Sequence, residues 1–236
     1  MPARVSSRRT ARLLRTAWRC ALSSTPESPP ESLLDLTPVI PVVVVDDIAH
    51  AVPLARALVA GGVPVIELTL RTPAALDAIR AIAGEVPEII VGAGTVLSPG
   101  HAKRAYDAGA RFLVSPGATP GLLAAMADTG LPFLPGTATV SEVLAARETG
   151  LTELKFFPAE ASGGAAYLSA LASVVPDVRF CPTGGITPAT AASYLALANV
   201  GCVGGSWLTP KDAVAAGDWE LITELARDAA ALVSRT

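Results

Sequence analysis

From Val39 onward the chain alternates short, nearly unbroken aliphatic runs with Ala-rich stretches of helical period. The runs begin near Val39, Pro64, Glu88, Arg111, Pro132, Glu153, Val178 and Val200, at spacings of 25, 24, 23, 21, 21, 25 and 22 residues. Each interval holds one strand and one helix, and residues 49–60, 74–83 and 120–127 are clear helical stretches. Thr72-Pro73, Ser98-Pro99, Thr119-Pro120 and Thr187-Pro188 are expected to open helices as cap and first-turn pairs. Gly61-Gly62, Gly109, Gly130 and Gly150 are expected to close them. Aliphatic runs without strict alternation suit strands buried on both faces of a parallel sheet. Every strand has its helical successor, and eight such units close a barrel more readily than an open doubly wound sheet. The predicted fold is therefore α/β, a single (β/α)8 barrel over residues 31–236. A short helix at 31–36 covers its floor, and 219–233 completes the outer ring.

Polar residues interrupt the apolar pattern where a barrel carries its chemistry, at the C-terminal strand ends. In the second strand a period of two puts Glu67, Thr69 and Arg71 on one face and Ile66, Leu68 and Leu70 on the other. An acid and a base inside a barrel are unfavourable unless paired or used; a structural ion pair is the competing explanation. Lys155 stands in the apolar run Glu153-Leu154-Lys155-Phe156-Phe157-Pro158, where a strand has no solvated face. The third strand ends Gly92-Ala93-Gly94-Thr95, with small residues expected to leave room for a ligand, and the fourth ends Ser115-Pro116-Gly117. The last two end Thr183-Gly184-Gly185 and Gly204-Gly205-Ser206. Paired glycines after the final strands suit a phosphate, because backbone N–H groups can approach an anion closely there.

Charge changes the picture mainly at the N-terminus. Six arginines precede the first acid, Glu27, whereas the chain from Glu31 onward carries 12 basic and 20 acidic residues. So acidic a globular part is a poor partner for nucleic acid or an anionic membrane. No apolar run approaches the roughly 20 residues of a membrane span. Residues 1–30, basic and Ser-containing, are expected to be either a disordered tail or an organelle-import segment. Of the three cysteines, Cys20, Cys181 and Cys202, the latter two lie in apolar strand patterns and are expected to be buried, inert thiols. They suit a reducing, cytoplasmic setting. His50 and His101 fall in outer-ring helices as surface residues, so no metal site and no cofactor is expected.

One lysine, one carboxylate, one arginine and a phosphate cradle suggest Schiff-base chemistry on a phosphorylated keto acid. An amine attacks a ketone only when neutral, and a free lysine titrates at about 10.4. Burial against Phe156 or Phe157 and the positive charge of Arg71 are the features expected to favour the neutral amine. The protonated imine then accepts the electron pair of the breaking C–C bond. Glu67 is placed to carry protons, and Arg71 to hold a carboxylate by two parallel hydrogen bonds.

The segment Gly62-Val63-Pro64-Val65-Ile66-Glu67-Leu68-Thr69-Leu70-Arg71 resembles the active-site segment of the 2-keto-3-deoxy-6-phosphogluconate and 4-hydroxy-2-oxoglutarate aldolases. Lys155-Phe156-Phe157-Pro158-Ala159-Glu160-Ala161 resembles their Schiff-base segment. Shorter likenesses are Val91-Gly92-Ala93-Gly94-Thr95, Cys181-Pro182-Thr183-Gly184-Gly185-Ile186 and Gly204-Gly205-Ser206-Trp207-Leu208. The resemblance implies Lys155 as Schiff-base former and Glu67 as acid/base. It implies that Arg71 and Thr95 hold the pyruvyl carboxylate and that Pro116 and Phe157 line the pocket. Gly184, Gly185 and Ser206 would bind phosphate, with Thr183 nearby. It also implies a homotrimer, products pyruvate and glyceraldehyde 3-phosphate, and the Entner–Doudoroff route. One departure is Thr137, where relatives tend to carry an aliphatic residue. Three alternatives stay open: an aldolase of unphosphorylated 4-hydroxy-2-oxoglutarate or the galactonate epimer, a silent sugar-phosphate-binding barrel, and a phosphosugar isomerase or epimerase.

Overall fold

The structure is a computed structural model that describes residues 32–232; the expectations for residues 1–30, Cys20 included, and for Val233 lie outside the described residues. The aliphatic runs form the strands β1 (Val39–Val43), β2 (Val65–Thr69), β3 (Ile90–Gly94), β4 (Leu113–Val114), β5 (Phe133–Leu134), β6 (Gly136–Thr137), β7 (Glu153–Phe156), β8 (Arg179–Pro182) and β9 (Val203–Gly205). The expected fifth strand is split in two at Pro135, whose ring nitrogen has no proton to donate to a ladder. Its carbonyl still accepts from Lys155 N at 3.0 Å.

All pairings are parallel, in two hydrogen-bonded runs, β5-β4-β3-β2-β1-β9 and β6-β7-β8. Isolated parallel bridges, Phe180 with Val200 and Thr183 with Gly204, connect β8 to the region of β9. The result is a curled parallel sheet with one hydrophobic core on both faces of the strands. Register fixes what faces inward: Val42, Glu67 and Gly92 are neighbours across β1, β2 and β3, as are Gly136, Lys155 and Cys181 across β6, β7 and β8.

Helices α1 (Ala51–Ala60), α2 (Ala75–Glu85), α3 (Pro99–Asp107), α4 (Pro120–Asp128), α5 (Val140–Glu148), α6 (Gly164–Leu171), α7 (Pro188–Leu195), α8 (Lys211–Ala216) and α9 (Trp219–Ala230) follow the strands. Ser98 and Thr119 cap α3 and α4 by accepting from His101 N and Leu122 N. Thr72 does not cap: α2 begins at Ala75, and the Thr72 hydroxyl donates instead to the Val45 carbonyl at 2.5 Å. At the end of α1 the second glycine, Gly62, takes the left-handed conformation at φ 87°. Gly61 serves packing, since a methyl there would overlap Ala226 of α9.

The expected floor helix is a single 3-10 turn, Leu33–Asp35, capped by Ser32 Oγ on Leu34 N and burying Leu33 and Leu34. Arg179 at the start of β8 grips Asp35 through both of its terminal nitrogens, at 3.1 and 2.5 Å. That hydrogen-bonded guanidinium holds the Asp35 carboxyl below its ordinary range, while burial pushes the Glu153 carboxyl beside it up.

Candidate active site

Two charged side chains meet inside the sheet. Lys155 is 5% exposed and Glu67 3%, and Lys155 Nζ stands 3.4 Å from Glu67 Oε1. Each arrives there by strand alternation, from the inward faces of β7 and β2. Gly94, the inward neighbour on β3, makes room for the carboxylate, because a methyl at that position would overlap Glu67 Oε1. The small residues of this strand were expected to leave space for a ligand. They leave it for protein: Gly94 for Glu67, and Gly92 for the Phe112 ring.

Of the two phenylalanines offered as cover for Lys155, Phe157 approaches Nζ, its ring centroid 5.3 Å away. Phe156 points to the other face, stacked on Tyr167 at 5.6 Å with its edge to Phe180 at 6.5 Å. The charge nearest the lysine is the Glu67 carboxylate. Arg71 lies beyond the end of β2, exposed, and its Nε donates to Thr95 Oγ1 at 3.2 Å. Thr95 has φ 57°, the single non-glycine residue with positive φ among the described residues. That conformation costs a branched side chain about 1–2 kcal/mol, and it directs the hydroxyl toward Arg71. Thr69, on the same face as Glu67, is occupied in structure: its hydroxyl donates to the Val43 carbonyl at 2.9 Å.

Pro116 follows β4 and packs against Gly136, where any side chain would collide with the Pro116 carbonyl. The buried Thr137 beside it donates its hydroxyl to the Lys155 carbonyl at 3.2 Å, so the departure from an aliphatic residue ties β6 to the lysine's own strand. Thr137 is conspicuous in the sequence but this bond is not, because nothing local signals which carbonyl lies across the ladder.

The glycine pairs differ. Gly184 and Gly185 have φ 105° and 82°, a left-handed turn in which Gly184 is half-buried and Gly185 exposed. Gly184 lies against the Phe157 ring, so that ring adjoins both Lys155 and the turn. Gly204 and Gly205 have no such turn, and a methyl on either would overlap Thr183 or the Trp207 ring. Thr183 is buried, its hydroxyl within 3.4 Å of the Cys181 carbonyl. Ser206 is exposed on the wall of a cavity of about 350 Å³ shared with Val42, Val44, Asp46, Thr209 and Lys211. Lys155 and Glu67 do not line that cavity.

Cys181 and Cys202 are buried free thiols, and the neighbouring Cys181 thiol together with burial pushes the Cys202 thiol up. The histidines are half-buried rather than fully surface residues: His50 packs edge-on to Trp219, and His101 Nδ1 accepts from Leu97 N at 3.4 Å. Among the described residues no three His, Cys, Asp or Glu side chains converge as metal ligands.

The family model described as KDPG and KHG aldolase matches residues 31–225. The KHG/KDPG aldolase of Escherichia coli (strain K12) is 58% identical over 199 residues, 84% of this chain and 93% of the relative. Among solved structures, the KDPG aldolase from Legionella pneumophila, with pyruvate captured at low pH as a covalent carbinolamine intermediate, has a TM-score of 0.84 at 45% identity. It covers 86% of this chain and 99% of its own. The 2-keto-3-deoxy-6-phosphogluconate aldolase of Zymomonas mobilis ZM4 with 3-phosphoglycerate has a TM-score of 0.81 at 48% identity, covering 85% of this chain and 94% of its own.

Proposed function

The chain belongs to the KDPG and KHG aldolase family, and from that premise we propose how its own residues carry out the cleavage. It is an aldolase, a carbon–carbon lyase. The substrate we assign is 2-keto-3-deoxy-6-phosphogluconate, split into pyruvate and glyceraldehyde 3-phosphate, as the name of the Zymomonas relative suggests. The observation that carries the lysine chemistry is the buried contact of Lys155 Nζ with Glu67 Oε1 at 3.4 Å.

Lys155 passes its proton to Glu67 and, as the neutral amine, attacks the C2 carbonyl to give a carbinolamine, which loses water to become a protonated imine. Glu67 relays the protons of that exchange and then takes the proton of the C4 hydroxyl. The C3–C4 bond breaks, its electron pair moves into the imine, and glyceraldehyde 3-phosphate leaves. The enamine regains a proton at C3 from Glu67, and water releases pyruvate from Lys155. Arg71 and Thr95, already in contact, hold the pyruvyl carboxylate. Pro116 and Phe157 line the pocket, while Gly184, Gly185 and Ser206, with Thr183 behind them, receive the phosphate. The covalent carbinolamine in the Legionella relative supports the lysine chemistry by analogy.

The two sheet runs are read here as one (β/α)8 barrel, supported by the covalent continuity of β5 and β6 through Pro135 and by the bridges from β8 toward β9. Residues 31–236 are taken as the aldolase domain and 1–30 as a separate segment. The working form is assigned as a homotrimer in the cytoplasm, on the Entner–Doudoroff route. Free buried thiols support a reducing setting, and among the described residues no helix is long and apolar enough to cross a membrane.

Incubation with pyruvate and borohydride, followed by peptide mass mapping, tests the mechanism. One pyruvyl adduct on Lys155, lost together with cleavage in Lys155→Ala, is expected. Folded protein without an adduct would overturn the imine route and favour a silent sugar-phosphate-binding barrel. Specificity constants for the gluconate and galactonate epimers and for 4-hydroxy-2-oxoglutarate decide the substrate.

A further inference from the structure

The Gly184–Gly185 turn does not hold its shape alone. The segment leaving β7 runs beside it: Ala159 N donates to the Thr183 carbonyl at 2.8 Å and Glu160 N to the Gly184 carbonyl at 3.1 Å. The Glu160 side chain then crosses directly under Gly185, where an added methyl would lie 2.7 Å from Glu160 Cγ and 2.8 Å from its Cβ. Its end is fixed by Tyr194 of α7, 1% exposed, whose hydroxyl donates to Glu160 Oε1 at 2.7 Å. Burial, and next the Glu160 carboxylate, push the Tyr194 phenol well above its ordinary value, so it remains a donor throughout the working range.

Charge does not explain why a carboxylate is there, because a negative group beside a phosphate site repels the ligand. Shape does: a buried phenol anchors a side chain, and that side chain forms the bed of the turn. We infer that Glu160, anchored by Tyr194, is a positioning residue that sets the Gly184–Gly185 turn for the substrate's phosphate. The inference rests on the phosphate assignment made under the proposed function.

The test compares 2-keto-3-deoxy-6-phosphogluconate with its unphosphorylated counterpart, 2-keto-3-deoxygluconate, in the full chain and in Glu160→Ala, Tyr194→Phe and Glu160→Gln. Glu160→Ala and Tyr194→Phe are expected to raise KM for the phosphorylated substrate about ten-fold, with kcat within about two-fold. Pyruvate trapping and kcat/KM on the unphosphorylated substrate stay at the wild-type level. Glu160→Gln keeps the packing and a carbonyl oxygen for Tyr194 while removing the charge, so its KM is expected to equal the wild-type value or fall below it. Losses of the same factor on both substrates, a glutamine variant as impaired as the alanine one, or variants indistinguishable from wild type would overturn the positioning role. A wild-type enzyme that traps pyruvate yet shows no preference for the phosphorylated substrate would overturn the phosphate assignment and this inference with it.

Discussion

Gly94 and Glu67 behave as one unit, since the carboxylate occupies the volume that a methyl on the neighbouring strand would fill. Gly94→Ala is therefore expected to displace Glu67 and lower kcat by about as much as removing the acid, with overpacking costing about 1–3 kcal/mol of stability. Steady-state rates and thermal melts check this; full activity would show that Glu67 need not stand where it does. Glu67→Gln is expected to keep the fold and slow turnover about 10²–10⁴-fold, with borohydride trapping less affected than cleavage. An unchanged rate would move the proton carrier elsewhere. Lys155 and Glu67 were legible in sequence because a charge inside an aliphatic run is conspicuous. The parts played by Gly94 and Glu160 are not legible there, because neither a missing methyl nor a tyrosine 34 residues away leaves a local trace.

At the level of elements, the caps at Ser98 and Thr119 and the strand starts followed from sequence closely. Thr139 and Glu142 form a reciprocal capping box at α5, just beyond β6. Thr72, by contrast, gives its hydroxyl to Val45. Glu142 accepts from Ala138 N at 2.7 Å and Thr139 N at 2.9 Å, and the Ala138 bond is the chief reason its carboxyl is held below the ordinary value. A depressed carboxyl stabilises the fold above its unfolded value, about 4.3, and loses that contribution as pH falls through the lower folded one. Thermal melts of wild type and Glu142→Gln should thus differ most at about pH 6 and converge toward about pH 3. A gap that widened on acidification would refute the assignment. Pro135 shows the opposite limit of legibility: its missing N–H was visible, but how the sheet would divide around it was not.

For the whole molecule, the described residues already contain a continuous core and every residue assigned to the site. Removing residues 1–30 is accordingly expected to leave Tm and kcat/KM unchanged; a fall in either would give that segment a part in the enzyme. The repeat of strand and helix was readable because each unit buries the same faces. The contact of β8 with the region of β9 was not, since it consists of isolated bridges that involve no recognisable pattern. The vacancy at Gly94 also bears on engineering. Grafting a lysine and a glutamate onto the strands of another parallel α/β sheet would reproduce the two side chains without their arrangement. The third strand must carry a gap where the acid's carboxylate reaches it, so the smallest transplantable unit spans three strands and includes a residue with no chemistry of its own.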